Sequence, residues 1–169
     1  MTISNSNKAA FAPGDMVVYP GHGVGTVTEV VTQQVADQAI ELFVINFAHD
    51  RMTLRVPLKK AKTSGLRGIS TLRVMHTALA KLKEPALQKK GMWNRRALEY
   101  TTKINSGDPI ALAEVVRDLR RTSGERERSH SERLLYEQAL GRLTHELAAV
   151  ESTEIDTATA KLEILLNAA

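Results

Sequence analysis

The chain has 169 residues, no cysteine, 43% hydrophobic and 25% charged residues, and a formal net charge of +4, the profile of a folded chain and not of a disordered tail. The length allows one domain or two small ones, and the lack of cysteine excludes disulfides, thiol catalysis and cysteine-based zinc modules. No run of about 18 apolar residues occurs, and the polar start over residues 1–6 lacks the basic-then-apolar order of a signal peptide, so a cytoplasmic protein that does not cross a membrane is expected.

Residues 11–62 carry the signature of strands. Residues 16–19, 24–31, 40–47 and 52–56 are rich in β-branched and aromatic side chains, several of them alternating apolar with polar. Turn formers separate these runs: Pro13-Gly14-Asp15, Pro20-Gly21-His22-Gly23, Ala36-Asp37-Gln38 and Ala48-His49-Asp50. Four or five short antiparallel strands within so few residues predict a small Tudor-like or SH3-like β-barrel, because so small a sheet hides its edges best by curling closed.

After Gly68 the apolar period becomes helical. Ile69, Leu72, Met75, Leu79 and Leu82 recur at three- and four-residue steps, with Ser70 expected as the N-cap, and Pro85 interrupts the pattern. A second helix is expected from Trp93 to the Asn105-Ser106-Gly107 end, a third from Asp108-Pro109, a fourth from the capping box Ser129-His130-Ser131-Glu132, and a fifth over residues 153–166. The expected architecture is therefore α+β: a β-barrel over residues 1–64, a linker or hinge near residues 62–70, and a compact all-helical domain of about five helices over residues 65–169. No sustained heptad seam appears, so a monomer is expected.

The charge is unevenly spread. Residues 65–130 hold fourteen Lys and Arg against seven Asp and Glu, whereas residues 131–169 hold three against seven. A concentrated basic stretch is what a polyanion partner requires, and it is equally the surface of a solvated helix. Gly21-His22-Gly23-Val24-Gly25 resembles a phosphate-cradling loop, but a strand follows where a nucleotide fold needs a helix, so a hairpin turn is the better reading. The five histidines lack a paired helical spacing, and His22 and His145 read as ordinary surface residues; no metal or cofactor is expected. No hydrolase, kinase or metalloprotease motif occurs, and nothing supports an enzyme.

The richest stretch is Lys89-Lys90-Gly91-Met92-Trp93-Asn94-Arg95-Arg96. A lone tryptophan is either core or, at a helix start between basic doublets, a ring that can wedge into a base step while the cations hold phosphates. The clusters Arg117, Arg120, Arg121 and Arg126, Arg128 are interleaved with acids and read as solvated surface. Arg55, within Leu54-Arg55-Val56-Pro57, is either an outward residue of the strand alternation or an exposed position that pairs with a partner protein.

Four segments together carry a resemblance: Phe11 and Pro13-Gly14-Asp15 running through Val17-Val18-Tyr19-Pro20 to His22-Gly23-Val24-Gly25; Leu54-Arg55-Val56-Pro57; Trp93-Asn94-Arg95-Arg96; and Ala113-Glu114-Val115-Val116-Arg117-Asp118-Leu119. They resemble the CarD/CdnL family of bacterial transcription regulators over nearly the whole chain, and the first is shared with the polymerase-binding module of the transcription-repair coupling factor. The resemblance implies a Tudor-like domain that docks on the RNA polymerase β subunit through Arg55, Pro57 and Val44. It also implies a helical domain that meets promoter DNA, without a sequence code, at the upstream edge of the transcription bubble. There Trp93 is the implied minor-groove wedge, Arg95 a neighbouring contact, and Arg96, Lys103 and Arg133 further contacts. Leu98 departs from relatives that carry a basic residue at that position. The alternative is a protein-interaction adaptor that links polymerase to another protein without touching DNA.

Overall fold

A computed structural model describes residues 10–87, 90–120 and 129–168. Five strands form one antiparallel sheet: β1 (Met16–Tyr19), β2 (Gly23–Val35), β3 (Gln38–Phe47), β4 (Met52–Pro57) and β5 (Arg67–Gly68), in the order β4-β3-β2-β1-β5. The turn between β2 and β3 places Ala36 and Asp37 at positive φ, the handedness that suits a two-residue hairpin. Gly21 and Gly23 take positive φ in the β1–β2 turn, and β2 follows directly, as the hairpin reading requires. A bulge between Val27 and Glu29 bends β2.

The sheet closes over Val17, Val27, Phe43, Ile45, Phe47, Val56, Ala61 and Leu66. Gly25 is required for that closure, since a Cβ there would lie 2.7 Å from Ile45 Cγ2 and 2.8 Å from Phe47 Cε1. The short helix α1 (Leu58–Ala61) follows β4 directly. The strand Arg67–Gly68 lies past residue 64, within the stretch expected to be a linker, and pairs with β1 through Val17 and Val18.

The second core is helical. Helices α2 (Leu72–Lys81), α3 (Trp93–Ser106), α4 (Pro109–Leu119), α5 (His130–Glu151) and α6 (Ile155–Ala168) bury Met75, Leu82, Tyr100, Leu112, Leu143 and Leu162 among others. The expected ends at Gly107 (φ +73°), Asp108 and Ser129 are present: Asp108 accepts from the Ile110 amide and Ser129 from the Glu132 amide. Ser70 is not the N-cap of α2; Thr71 is, its hydroxyl accepting from the Val74 amide. The Ser70 amide points elsewhere, to Glu146 of α5.

Two further expectations of solvated arginines fail because the guanidinium groups are engaged by groups of the protein itself. Arg117 is 5% exposed and not solvated; it donates to Asp118 (2.8 Å) and to Glu84 (3.0 Å), while Asp118 also accepts from the Leu87 amide (2.9 Å). Arg120 donates to the Leu166 carbonyl and so ties α4 to α6. Arg121, Arg126 and Arg128 lie outside the described residues, as does Lys89. Among the described residues no helix is long and apolar enough to cross a membrane.

Candidate polymerase and nucleic-acid interface

The two halves are joined by buried polar contacts. Arg67 of β5 donates twice to Glu146 of α5, at 2.8 and 3.0 Å, and once to the Gly107 carbonyl at 2.7 Å; the Ser70 amide donates to the same carboxylate at 2.9 Å. Arg142, also on α5, donates to the Gly21 carbonyl at 2.5 Å and to Ile104 at 3.1 Å. Such paired donors and acceptors cost little when matched and much when separated. None of the side chains that make these contacts, Arg67, Arg142 and Glu146, stands in a motif. Glu146 carries the available signal: a carboxylate on the Ala139–Leu143–Glu146 stripe, where helical spacing calls for an apolar side chain.

His145 belongs to this joint and is not an ordinary surface residue. Its ring lies against that of His49, with centroids 4.1 Å apart and planes tilted by 31°. Burial first, and the His49 ring second, hold its pKa below the usual histidine value, with Asp50 opposing. A histidine that is harder to protonate when folded favours unfolding once acid charges the unfolded chain, so stability is complete above about pH 6.5 and declines as pH falls toward the folded value. Denaturant unfolding at pH 7.5 and pH 5 checks this: the drop in unfolding free energy is expected to shrink in His145→Gln, and an identical drop in both proteins would contradict it. His22 is half-buried, stacked on Tyr19 and close to Phe47.

On the sheet, β4 is an edge strand, hydrogen-bonded among the described residues to β3 alone. Arg55 is opposite Val44 and Pro57 opposite Leu42, so these four share the face turned away from the core residues Phe43, Ile45 and Val56. Arg55 is exposed and Pro57 half-buried, whereas Val44 is only 6% exposed and offers little surface of its own.

On the helical side, Trp93 is the first residue of α3, after Gly91 (φ +123°) and Met92. Among the described residues no side chain caps this helix start, and no acidic residue occupies its first turn, so its amides and dipole favour an anion. Trp93 is half-buried. It packs on the helical core 6.3 Å from the Tyr100 ring, and Arg96 places its guanidinium carbon 5.5 Å from the indole centroid. Helical spacing separates the candidates into two stripes. Trp93, Arg96, Tyr100 and Lys103 recur on one, whose centre, Tyr100, is buried; Arg95, Leu98 and Thr102 recur on another that is exposed. Lys103 is engaged with Glu114 at 2.8 Å, and that hydrogen bond is the main cause of the lowered Glu114 pKa. Arg95 and Arg133 are exposed, the latter on the first turn of α5.

Two family models cover this arrangement. The model described as CarD, C-terminal domain, matches residues 77–163, and the CarD-like/TRCF RID domain matches residues 11–70. The chain belongs to the CarD family. CarD proteins of this kind are transcription regulators, and residues 11–70 correspond to their RNA-polymerase-interacting module. Among CarD relatives, the putative transcription factor YdeB of Bacillus subtilis (strain 168) is 27% identical over 141 residues, covering 83% of this chain and 92% of that one. The solution NMR structure of the 72-residue N-terminal domain of Myxococcus xanthus CarD is 33% identical, covering 34% of this chain and 77% of that one, with a TM-score of 0.31.

Proposed function

We propose that this protein regulates transcription initiation by holding the RNA polymerase β subunit with its sheet and the upstream edge of opened promoter DNA with the start of α3. The observation that carries the reading is Trp93, half-exposed at a helix start that no side chain caps among the described residues, supported from behind by Tyr100, with Arg96 against its ring. A ring so backed is pre-set for insertion and loses little freedom on binding. Arg95, on the exposed stripe and without a hydrogen bond or ion pair among the described residues, supplies a phosphate contact, and Arg133 extends it from α5. Arg96 and Lys103 serve first by placing Trp93 and by bonding to Glu114, and touch DNA second.

Docking on polymerase uses the exposed face and edge of β4, with Arg55 and Pro57 as contacts and Val44 as their packed support. The tether raises the local concentration of the wedge, so a feeble DNA contact suffices and no base code is needed. A ligand shifts an equilibrium only by its differential affinity, so Trp93 must prefer the distorted fork to closed duplex. A preference of about 1.4 kcal/mol is a tenfold shift.

The adaptor reading is favoured by one observation: Leu98, 68% exposed beside Arg95, offers an apolar surface that suits protein better than phosphate. The two readings separate on Trp93→Ala. The wedge reading expects open promoter complexes to decay about tenfold faster than with the unaltered protein, at equal polymerase binding; an unchanged lifetime in the folded variant favours the adaptor.

A further inference from the structure

Strand β3 is longer than the strand beside it. Residues 38–46 pair with β2, but only residues 42–47 pair with β4, because the chain leaves the sheet after Pro57 and turns into α1. Among the described residues, no strand covers the outer edge of residues 38–41. An unpaired edge of this kind is a template for an incoming strand.

Beside that edge lies a cavity of about 830 Å³ floored by Phe11, Phe43, Leu58 and Leu66. Lys59, Lys60 and Lys62 stand at its rim, all exposed and none in an ion pair among the described residues; Glu41 is the single carboxylate of the lining. The free edge, the apolar floor and the excess of cations thus meet in one place.

We propose that this groove is a second docking site, which takes an extended segment of a partner protein with alternating apolar and acidic residues. The segment adds to β3 at residues 38–41, in line with β4. Successive side chains of an added strand point to opposite sides, so alternate apolar residues enter the groove while the carboxylates between them meet the lysines. The groove borders the proposed polymerase contact at Pro57, which lines it, but uses neither Arg55 nor α3, and therefore goes beyond the proposed function. Charge selects the occupant. Residues 1–9 of this chain contain one lysine and no carboxylate side chain, and a second copy would bring its own three lysines against these.

The test is amide chemical-shift titration of the full chain with a short synthetic peptide that alternates valine and glutamate. Saturable shifts are expected at residues 38–41 and 58–62. Binding is expected to weaken about tenfold when the glutamates become lysines, when alternate peptide amides are methylated, and in the Lys59→Glu, Lys60→Glu, Lys62→Glu variant. The proposal is overturned by equal affinity for the lysine peptide, by shifts confined to residues 52–57, by shifts of residues 38–41 that follow protein concentration without peptide, or by decanoate producing the same shifts more tightly than the peptide.

Discussion

Replacing Arg67 by alanine is expected to lower the unfolding free energy by about 4 kcal/mol, because it strands a charge and does more than remove a contact. The Glu146 side chain is 2% exposed and Arg67 33%. The arginine can turn to water when its partner is lost; the carboxylate cannot. Glu146→Gln keeps an acceptor for the Ser70 amide and for one guanidinium N–H, and is expected to cost about 1–2 kcal/mol. The double variant Arg67→Ala/Glu146→Ala should be more stable than Arg67→Ala alone, since the stranded charge is then gone. Urea unfolding of the three variants checks the order, and a loss below about 1 kcal/mol in Arg67→Ala would contradict the account of the joint. The consequence for function is geometric. The joint sets the distance between the β4 edge and Trp93, and under the proposed function such a tether of fixed length would bring Trp93 to one position on the DNA.

Charge reversal at Arg55 is the second large expected effect, and it falls on binding alone. Arg55 is exposed, its side chain makes no hydrogen bond or ion pair among the described residues, and it sits at the edge of the sheet. Arg55→Glu should therefore leave the unfolding free energy within about 0.5 kcal/mol of its original value. Its affinity for the isolated polymerase β subunit is expected to fall at least about tenfold, because like charges set against each other are repelled as the old attraction is lost. Equal affinities for the two proteins would remove the β4 edge as the docking site.

How much of this was legible in the sequence differs from element to element. The strands were plain because alternation and turn residues agree, and Ala36-Asp37 adopts the positive φ that the hairpin needs. The helix ends at Gly107, Asp108 and Ser129 were plain for a similar local reason: each is fixed by a side chain or a backbone preference within three residues. Ser70 misled because two adjacent hydroxyl residues can each cap, and the choice of Thr71 depends on a carboxylate 76 residues away that claims the Ser70 amide. Arg117 and Arg120 misled likewise, since the partners that bury them, Glu84, Asp118 and the Leu166 carbonyl, lie mostly on other elements.

The candidate site was legible as a set of residue types and not as a geometry. Lysines and arginines around a tryptophan suggest a basic patch. Only the helical phase, combined with burial of Tyr100, separates Arg95 on the exposed stripe from Arg96 and Lys103 on the packed one. Val44 is a contact implied by the resemblance; in the sheet it stands opposite Arg55 and is 6% exposed. Long-range pairs such as Arg67–Glu146 and the contact of the His49 ring with His145 leave no local pattern beyond a charge at an apolar position.

The central claim, a polymerase-held wedge that favours opened DNA, is tested most directly by the lifetime of open promoter complexes formed by the cognate polymerase with and without this protein. The protein is expected to lengthen that lifetime about tenfold, with Trp93→Ala losing the gain while still binding polymerase and Arg55→Glu losing both. A lifetime that does not change when the bound, unaltered protein is present would contradict the claim.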